Sequence, residues 1–337
     1  MNASKIFKYL IIIISIIIII MCFIGIKNKL NTLLVSQEVS SNTDDVYSTI
    51  KEGMSVTLLG GSNMEENGNT NSMGYFIITP KNELIFIDGG RDIDSQLVKS
   101  YIDKFGSGKV DHWFITHPHT DHVGALLKLL DEENNLEIEN IYYSFLEDEW
   151  YKENDTRGYE SSHAMIENLN NKKIHNKVEC IEGQVIEIDN IKVDIIRTPN
   201  PEITNSDNGN DASMTFKITA TDVDKSIIFL GDSYIYASKE LLEGNKDILK
   251  SDSVQMAHHG QNGVTKEVYE AISPSVCFFN CPKYLYDNDK GLGYNTGKWQ
   301  TVEVRRWMDD LETVNYKAFN GDQIFKFTKE GIIKIEN

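Results

Sequence analysis

Residues 113–130 read WFITHPHTDHVGALLKLL, and they leave little freedom to any fold built around them. An apolar run rich in aromatic and β-branched residues leads into His117, His119, Asp121 and His122. The chain then passes at once into a helical apolar pattern. The order is strand, tight loop, helix. On an extended segment His117 and His119 point to one side, because side chains alternate with period two. Asp121 and His122 open the following turn. Imidazole and carboxylate are common metal ligands, and one ion rarely needs all four groups. Two ions a few ångströms apart would use them. With eight histidines in the whole chain, an accidental H-x-H-x-D-H behind an apolar strand is improbable.

The rest of the chain extends this alternation. Strand-like runs occupy 55–59, 75–79, 83–88, 112–116, 140–145, 192–197, 214–219, 226–230, 275–280 and 324–328. Helical periodicity marks 94–105, 123–131, 161–169, 237–242, 265–272 and 297–311. This order predicts an α/β fold of two sheets covered by helices, not a simple doubly wound sheet. A length of 337 residues with 40% apolar content supports an ample core. Cys277 and Cys281 stand too far apart on an extended run for a disulfide. With Cys180 they are expected as buried thiols, and no zinc-knuckle spacing is present. The net charge of −18 repels polyanions and disfavours non-specific nucleic-acid binding.

Residues 9–26 are almost purely aliphatic, broken by Ser15 and Gly25 and flanked by Lys5, Lys8, Lys27 and Lys29. At 1.5 Å per residue a helix of this length is about 27 Å long, enough to cross a bilayer core. No A-x-A-like cleavage site follows. The expected organisation is a cytoplasmic N-terminus (1–8), a transmembrane anchor (9–26), a polar linker (27–52) and a globular domain (53–337) on the outer face of the membrane. A cleaved signal peptide is the alternative, and it too sends the domain across.

FITHPHTDHVGALL resembles the signature of the metallo-β-lactamase fold in its H-x-H-x-D-H-x-G form. The resemblance runs from Met54 to the C-terminus. It continues in FIDGG, where Asp88 takes the place of the family's first aspartate and braces the metal loop. In FLGDS, Asp232 takes the place of the bridging carboxylate. In MAHHGQNG, one of His258 and His259 is the last ligand. The resemblance implies an αββα four-layer sandwich with the metals at the edge between the sheets. Typical β-lactamases and lactonases of this fold carry a further histidine in a T-P-G-H-like turn. The corresponding stretch here, IIRTPNPE at 195–202, has none. His163 and His175 alone lie in the interval, and both read as surface histidines, His163 in a helix, where the alternative is that it lines the cleft, and His175 in a polar loop. One metal therefore lacks a protein ligand or takes it from Asn210 or Asp211. This departure counts against a thiolester, lactone or β-lactam substrate. NDASMTFKI followed by FLGD and AHHG resembles the metal domain of ComEC-type DNA-uptake proteins. It also resembles the phosphorylcholine esterases that trim choline from cell-wall teichoic acid. Alignment with the esterases implies that His259 is the ligand and that His258 faces the phosphate.

The expected function is metal-dependent hydrolysis of a phosphodiester, with two divalent ions, zinc or alternatively manganese. The expected ligands are His117, His119, Asp121, His122, Asp232 and His259. Asp121 and Asp232 orient the water, and His258 stabilises developing charge. Asp88, Asn210, Asp211 and Ser213 stand behind the ligands or against substrate. The expected partners are the membrane and a small-molecule or cell-wall polymer substrate, with nucleic acid disfavoured by charge. Tyr143, Trp150 and Tyr151 beside Glu147 could cage a quaternary amine or simply pack beneath a lid. Tyr284, Tyr286, Tyr294 and Trp299 could shape a pocket or anchor their loop. The rival readings are a hydrolase of another ester or amide class, and a metal-binding regulatory module without turnover.

Overall fold

The structure is a computed structural model that describes residues 39–40, 50–62, 64, 70–203, 208–244 and 246–336. The apolar segment at 9–26 lies outside the described residues, as does most of the linker. Among the described residues no helix is long and apolar enough to cross a membrane.

Two sheets stack face to face. The strands are β1 (Val39–Ser40), β2 (Met54–Leu58), β3 (Gly74–Ile78), β4 (Leu84–Asp88), β5 (Lys109–Phe114), β6 (Glu137–Tyr143), β7 (Ile174–Glu179), β8 (Val185–Ile188), β9 (Ile191–Arg197), β10 (Thr215–Ala220), β11 (Lys225–Phe229), β12 (Ser253–Gln255), β13 (Val276–Phe279), β14 (Val314–Lys317), β15 (Gln323–Thr328) and β16 (Gly331–Glu336). The first sheet runs β1-β16-β15-β2-β3-β4-β5-β6-β7, and the second runs β14-β13-β12-β11-β10-β9-β8. From β4 to β7 and from β11 to β14 neighbouring strands are parallel.

Period-two alternation explains the layers. Ile85 and Ile87 of β4 face the second sheet, where they join Phe216, Ile218, Ile227, Phe229 and Phe278 in the central core. Their neighbours Leu84 and Phe86 face outward, against Val98 and Ile102 of helix Ser95–Gly106 and Leu126 and Leu129 of helix Thr120–Asp131. In the second sheet Ile228, Val254, Cys277 and Phe279 point outward, onto Leu241, Val268, Ile272, Val304 and Met308. Those residues belong to helices Ile235–Glu243, Lys266–Ile272 and Thr301–Asp310. Strands buried on both faces carry apolar residues on both, and each fully buried side chain of this size contributes about 1.5–3 kcal/mol. Cys180, Cys277 and Cys281 are free and buried.

The predicted strands are all present. β1, β7, β8, β12, β14 and β16 were not read from the sequence. β7 has mostly exposed side chains and pairs on one side only, as an edge strand does. His175 therefore lies on a strand, not in a loop. The helix expected from residue 297 begins at Thr301. The preceding residues form a loop closed by Asn288, whose carbonyl accepts the Gly297 amide at 2.6 Å and whose side-chain oxygen accepts the Trp299 amide at 3.0 Å.

Candidate metal centre

Parallel strands send their C-terminal ends to one edge of the sandwich, the usual place for a site in such sheets. Asp88 ends β4. His117 and His119 follow β5, Asp232 follows β11, and His258 and His259 follow β12. The Met214 amide donates to the Thr116 carbonyl at 2.7 Å and ties the two sheets at this edge. His119 is the extended residue before helix Thr120–Asp131, so Asp121 and His122 occupy its first turn.

Asp88 is fully buried with φ of 52°, a conformation strained for a non-glycine residue. Its carboxylate accepts the Thr116 amide at 2.8 Å, the Thr116 hydroxyl at 2.7 Å and the His122 Nδ1–H at 2.7 Å. The last bond fixes the ring so that His122 Nε2 faces the cluster, the role a carboxylate behind a ligating histidine plays. His259 Nδ1–H donates to the Asn280 carbonyl at 2.7 Å, and its Nε2 lies 3.1 Å from Asp121 and 3.4 Å from Asp232. Asp121, His122, Asp232 and His259 each offer a ligand atom, and these atoms lie within 4.8 Å of one another. The His117 ring stands 4.1 Å from that of His122 and 4.5 Å from that of His119.

This donor set fits a divalent cation. His117 Nε2, His122 Nε2 and Asp232 Oδ1 are buried without a hydrogen-bond partner. His122 Nε2 lies 3.2 Å from Asp232 Oδ1 yet is not aligned to bond it. Orphaned polar atoms at this depth are costly unless something binds them. Burial, with His122 and His119 beside it, holds the His117 pKa well below its usual value, so its lone pair is free. Burial also disfavours the His259 imidazolium, but Asp232 and Asp121 outweigh it and raise the pKa to about 9. The cluster thus carries an excess of buried negative charge that calls for a positive ion.

The two adjacent histidines diverge. His258 has φ of 49°, His259 has φ of 60° and Gly260 has φ of 80°, so the sharp turn begins at His258, one step before the glycine. It carries His259 into the buried cluster and His258 to the cavity wall. His258 Nδ1–H donates to the Asn262 carbonyl at 2.7 Å, and its Nε2 stands 3.9 Å from Asp232. Asn210 Nδ2 lies 3.3 Å from the same nitrogen.

Asp211 is not placed to be a ligand. Its carboxylate accepts the amides of Tyr234, Tyr236 and Ala237 at 2.7, 3.1 and 3.0 Å, capping helix Ile235–Glu243. Ser213 Oγ accepts the Asp232 amide at 3.0 Å and holds the turn behind that carboxylate. Asn200, in the turn where the family's extra histidine would stand, donates to Glu240 at 3.0 Å. His163 pairs with Asp148 at 3.0 Å, its side chain 44% exposed. The aromatic cage does not form: Tyr151 is fully buried beside Ile203 and Ala212, and Trp150 donates to the Pro201 carbonyl. Of the second aromatic group, Trp299 lines the cavity, Tyr286 is buried under Arg305 and Tyr294 is exposed.

Several neighbours carried no sequence signal. His119 Nε2–H donates to Asp155 at 2.7 Å, which leaves Nδ1 as its free nitrogen. Asn71 donates to Asp121 at 2.5 Å, and Arg91 sits 3.6 Å from the same carboxylate. Arg91 stands directly after FIDGG, the one place where proximity to a motif pointed to it. A cavity of about 900 Å³ opens over the cluster, walled by Arg91, Arg157, Lys298, His119, His258 and Trp299, among others.

No curated protein matches the chain. Among solved structures it is similar to the metallo-beta-lactamase fold protein YhfI from Bacillus subtilis, at 13% identity, covering 79% of this chain and 96% of that one with a TM-score of 0.46. It is also similar to unliganded yeast PDE1, at 11% identity, 85% and 98% coverage and a TM-score of 0.45. A third is a diphosphatase from the PhnP family, at 11% identity, 71% and 93% coverage and a TM-score of 0.40. The family model described as Metallo-beta-lactamase superfamily matches residues 69–194. That span holds Asp88 and the whole H-x-H-x-D-H loop, and so the chain carries a metallo-beta-lactamase superfamily domain.

Proposed function

We propose that the chain is a metal-dependent phosphodiesterase held at the outer face of a membrane. The observation that carries this reading is the cavity above the donor cluster. It is walled by Arg91, Arg157 and Lys298, and among the described residues each aspartate in it, Asp121, Asp155 and Asp232, turns toward a histidine. An anionic substrate suits such walls, whereas a neutral lactone or amide would gain little from them. The turn at 198–201 carries no histidine, and Asn200 turns toward Glu240, which is consistent with a centre of a different kind from the β-lactamases.

Two divalent ions, zinc or manganese, would be held by His117, His119 and Asp232 and by Asp121, His122, Asp232 and His259. When bound they supply Lewis acidity toward water and phosphoryl oxygen. Asp121 and Asp232 face the cavity and orient the attacking water. His258 keeps its Nδ1 proton on Asn262 and presents Nε2 to the cavity. In its imidazolium form that nitrogen places a proton against the negative charge that develops on the phosphoryl group. Asn210 Nδ2 stands 3.3 Å from the same Nε2 and donates to it while the ring is neutral.

A panel of bis-p-nitrophenyl phosphate, p-nitrophenyl phosphorylcholine, single-stranded DNA, a lactone and nitrocefin tests the reaction class. Turnover of the phosphodiesters is expected. Turnover confined to the lactone or nitrocefin, or none on any compound by the metal-loaded protein, overturns the reading. The anchor is supported by the length and apolarity of residues 9–26. Protease added to intact cells should release a fragment beginning in the linker, and a fragment protected until lysis would reverse the orientation.

A further inference from the structure

Asp121 stands in the first turn of its helix with its carboxylate at the cavity, and three groups meet one of its oxygens. Asn71 Nδ2–H donates to Oδ2 at 2.5 Å, His259 Nε2 lies 3.1 Å from it and Arg91 Nη2 lies 3.6 Å from it. Asn71 reaches it from 50 positions away, in the segment ahead of β3. An asparagine amide has a donor end and an acceptor end. Turned one way it binds a carboxylate, and turned the other way its oxygen repels one.

Arg91 decides between the two. Its Nε–H donates to the Asn71 backbone carbonyl at 2.7 Å, and its Nη2–H donates to Asn71 Oδ1 at 2.8 Å. A guanidinium only donates. The amide oxygen therefore turns to Arg91, and the amide nitrogen is left to face Asp121. Two prongs on the backbone and side chain of one residue also restrict its rotation. A lysine carries a single ammonium on a flexible stem and has no such planar fork.

The backbone frame holds both residues. The Arg91 amide donates to Asp94 Oδ2 at 2.9 Å, the Ser72 hydroxyl donates to the same oxygen at 2.6 Å, and the Ser62 amide donates to Oδ1 at 2.5 Å. Asp94 is buried, and it ties the loop carrying Arg91 to the segment carrying Asn71. The Met73 amide donates to the Asp121 carbonyl at 2.9 Å, which ties that segment to the helix. The helix in turn closes on Arg91. A Cβ on Gly124 would stand 2.7 Å from the Asp92 nitrogen and 3.0 Å from Arg91 Cα, so the glycine that ends H-x-H-x-D-H-x-G admits this approach.

We propose that Arg91 and Asn71 are positioning residues for the metal centre: Arg91 orients the Asn71 amide, and Asn71 holds the Asp121 carboxylate in place for a divalent cation. This rests on the metal centre and not on the substrate read for it, so it acts on metal affinity before any substrate is present. Charge and orientation predict opposite signs. Arg91 is itself a cation beside a ligand oxygen, and by charge alone its removal would tighten the binding of a metal ion. A loss of affinity on its removal therefore reports orientation.

Zinc titration of the full chain against a chromophoric chelator, without substrate, tests this. Asn71→Leu should weaken the binding of one ion by about 10–100-fold, the size of losing a partner behind a ligand. Arg91→Ala should weaken the same ion. The double variant should be no weaker than Asn71→Leu alone, because Arg91 acts through Asn71. Arg91→Lys keeps the charge without the fork and should not restore affinity. Circular dichroism of each metal-free variant checks the fold, and Asn71→Ser, which also removes the amide, replaces Asn71→Leu if that variant does not fold. Unchanged zinc affinity without the Asn71 amide, losses that add in the double variant, or full affinity in Arg91→Lys overturns the proposal and leaves the metal centre standing. A wild-type chain that takes up no zinc overturns the metal centre, and the proposal with it.

Discussion

His258 and His259 are neighbours in sequence with different surroundings. His259 is fully buried against Asp121 and Asp232, while His258 lines the cavity with its side chain 17% exposed. His259→Ala should lose metal. Asp232→Ala should lose metal and all turnover. His258→Ala should keep its metal and turn over about 10²–10³-fold more slowly, the size of losing one transition-state donor. Metal content measured beside rate checks this, and the opposite pattern would exchange the two roles. Gly209→Ala offers a test without removing any donor. Its new Cβ would meet the Asp155 carboxylate at 2.0 Å and His119 Nε2 at 2.5 Å and break their hydrogen bond. Metal affinity should fall by about 10–100-fold, as it does when such an outer partner is lost, while circular dichroism stays native. Unchanged affinity would show that Asp155 does not orient His119. The candidate donors were legible in the sequence, because four of them fall within six residues after an apolar strand. Asp155 was not, because it meets His119 through a hydrogen bond across 36 positions.

At the scale of elements, β5 carries a pH-dependent term apart from the site. His112 stacks on Tyr142 with ring centres 5.7 Å apart, and its Nδ1 stands 3.0 Å from the Tyr142 hydroxyl. Burial, partly opposed by Asp111, lowers its pKa to about 4, against about 6.5 in the unfolded chain. Between these values the unfolded state binds more protons, so stability is full above about pH 6.5 and declines as pH falls toward 4. His112→Gln should flatten this limb by about 2–3 kcal/mol in urea unfolding compared at pH 7 and pH 4. An unaltered slope would mean that other groups carry the acid sensitivity. Central strands such as β4 and β11 are plain in the sequence because both faces are apolar. β7 is not, since its side chains are mostly exposed and only its backbone pairing with β6 distinguishes it from a polar loop.

For the whole molecule, the buried carboxylates couple metal to stability. Asp88, Asp121 and Asp232 lie within one cluster between the sheets, and a bound cation offsets their mutual repulsion. A soluble fragment beginning near residue 51, purified without chelator, should contain close to two divalent ions per chain by elemental analysis. Chelation should lower its Tm, and returning metal should restore it, because a ligand that binds only the folded state stabilises that state. A fully folded, metal-free protein with the same Tm would remove the basis for the centre.

The sequence by itself determined the layered α/β architecture, the strand–loop–helix unit that carries the histidines and the identity of the main donors. These are local properties, set by residue type and by spacing over a few positions. Only the tertiary structure decided which of two adjacent histidines is buried, because that depends on a left-handed turn packed against Phe279 and Asn280. It also decided that Asp211 caps a helix, that the aromatic run at 141–151 packs inward, and that Arg157 and Lys298, 141 positions apart, share one cavity. Those outcomes depend on contacts between distant parts of the chain, which local pattern does not specify.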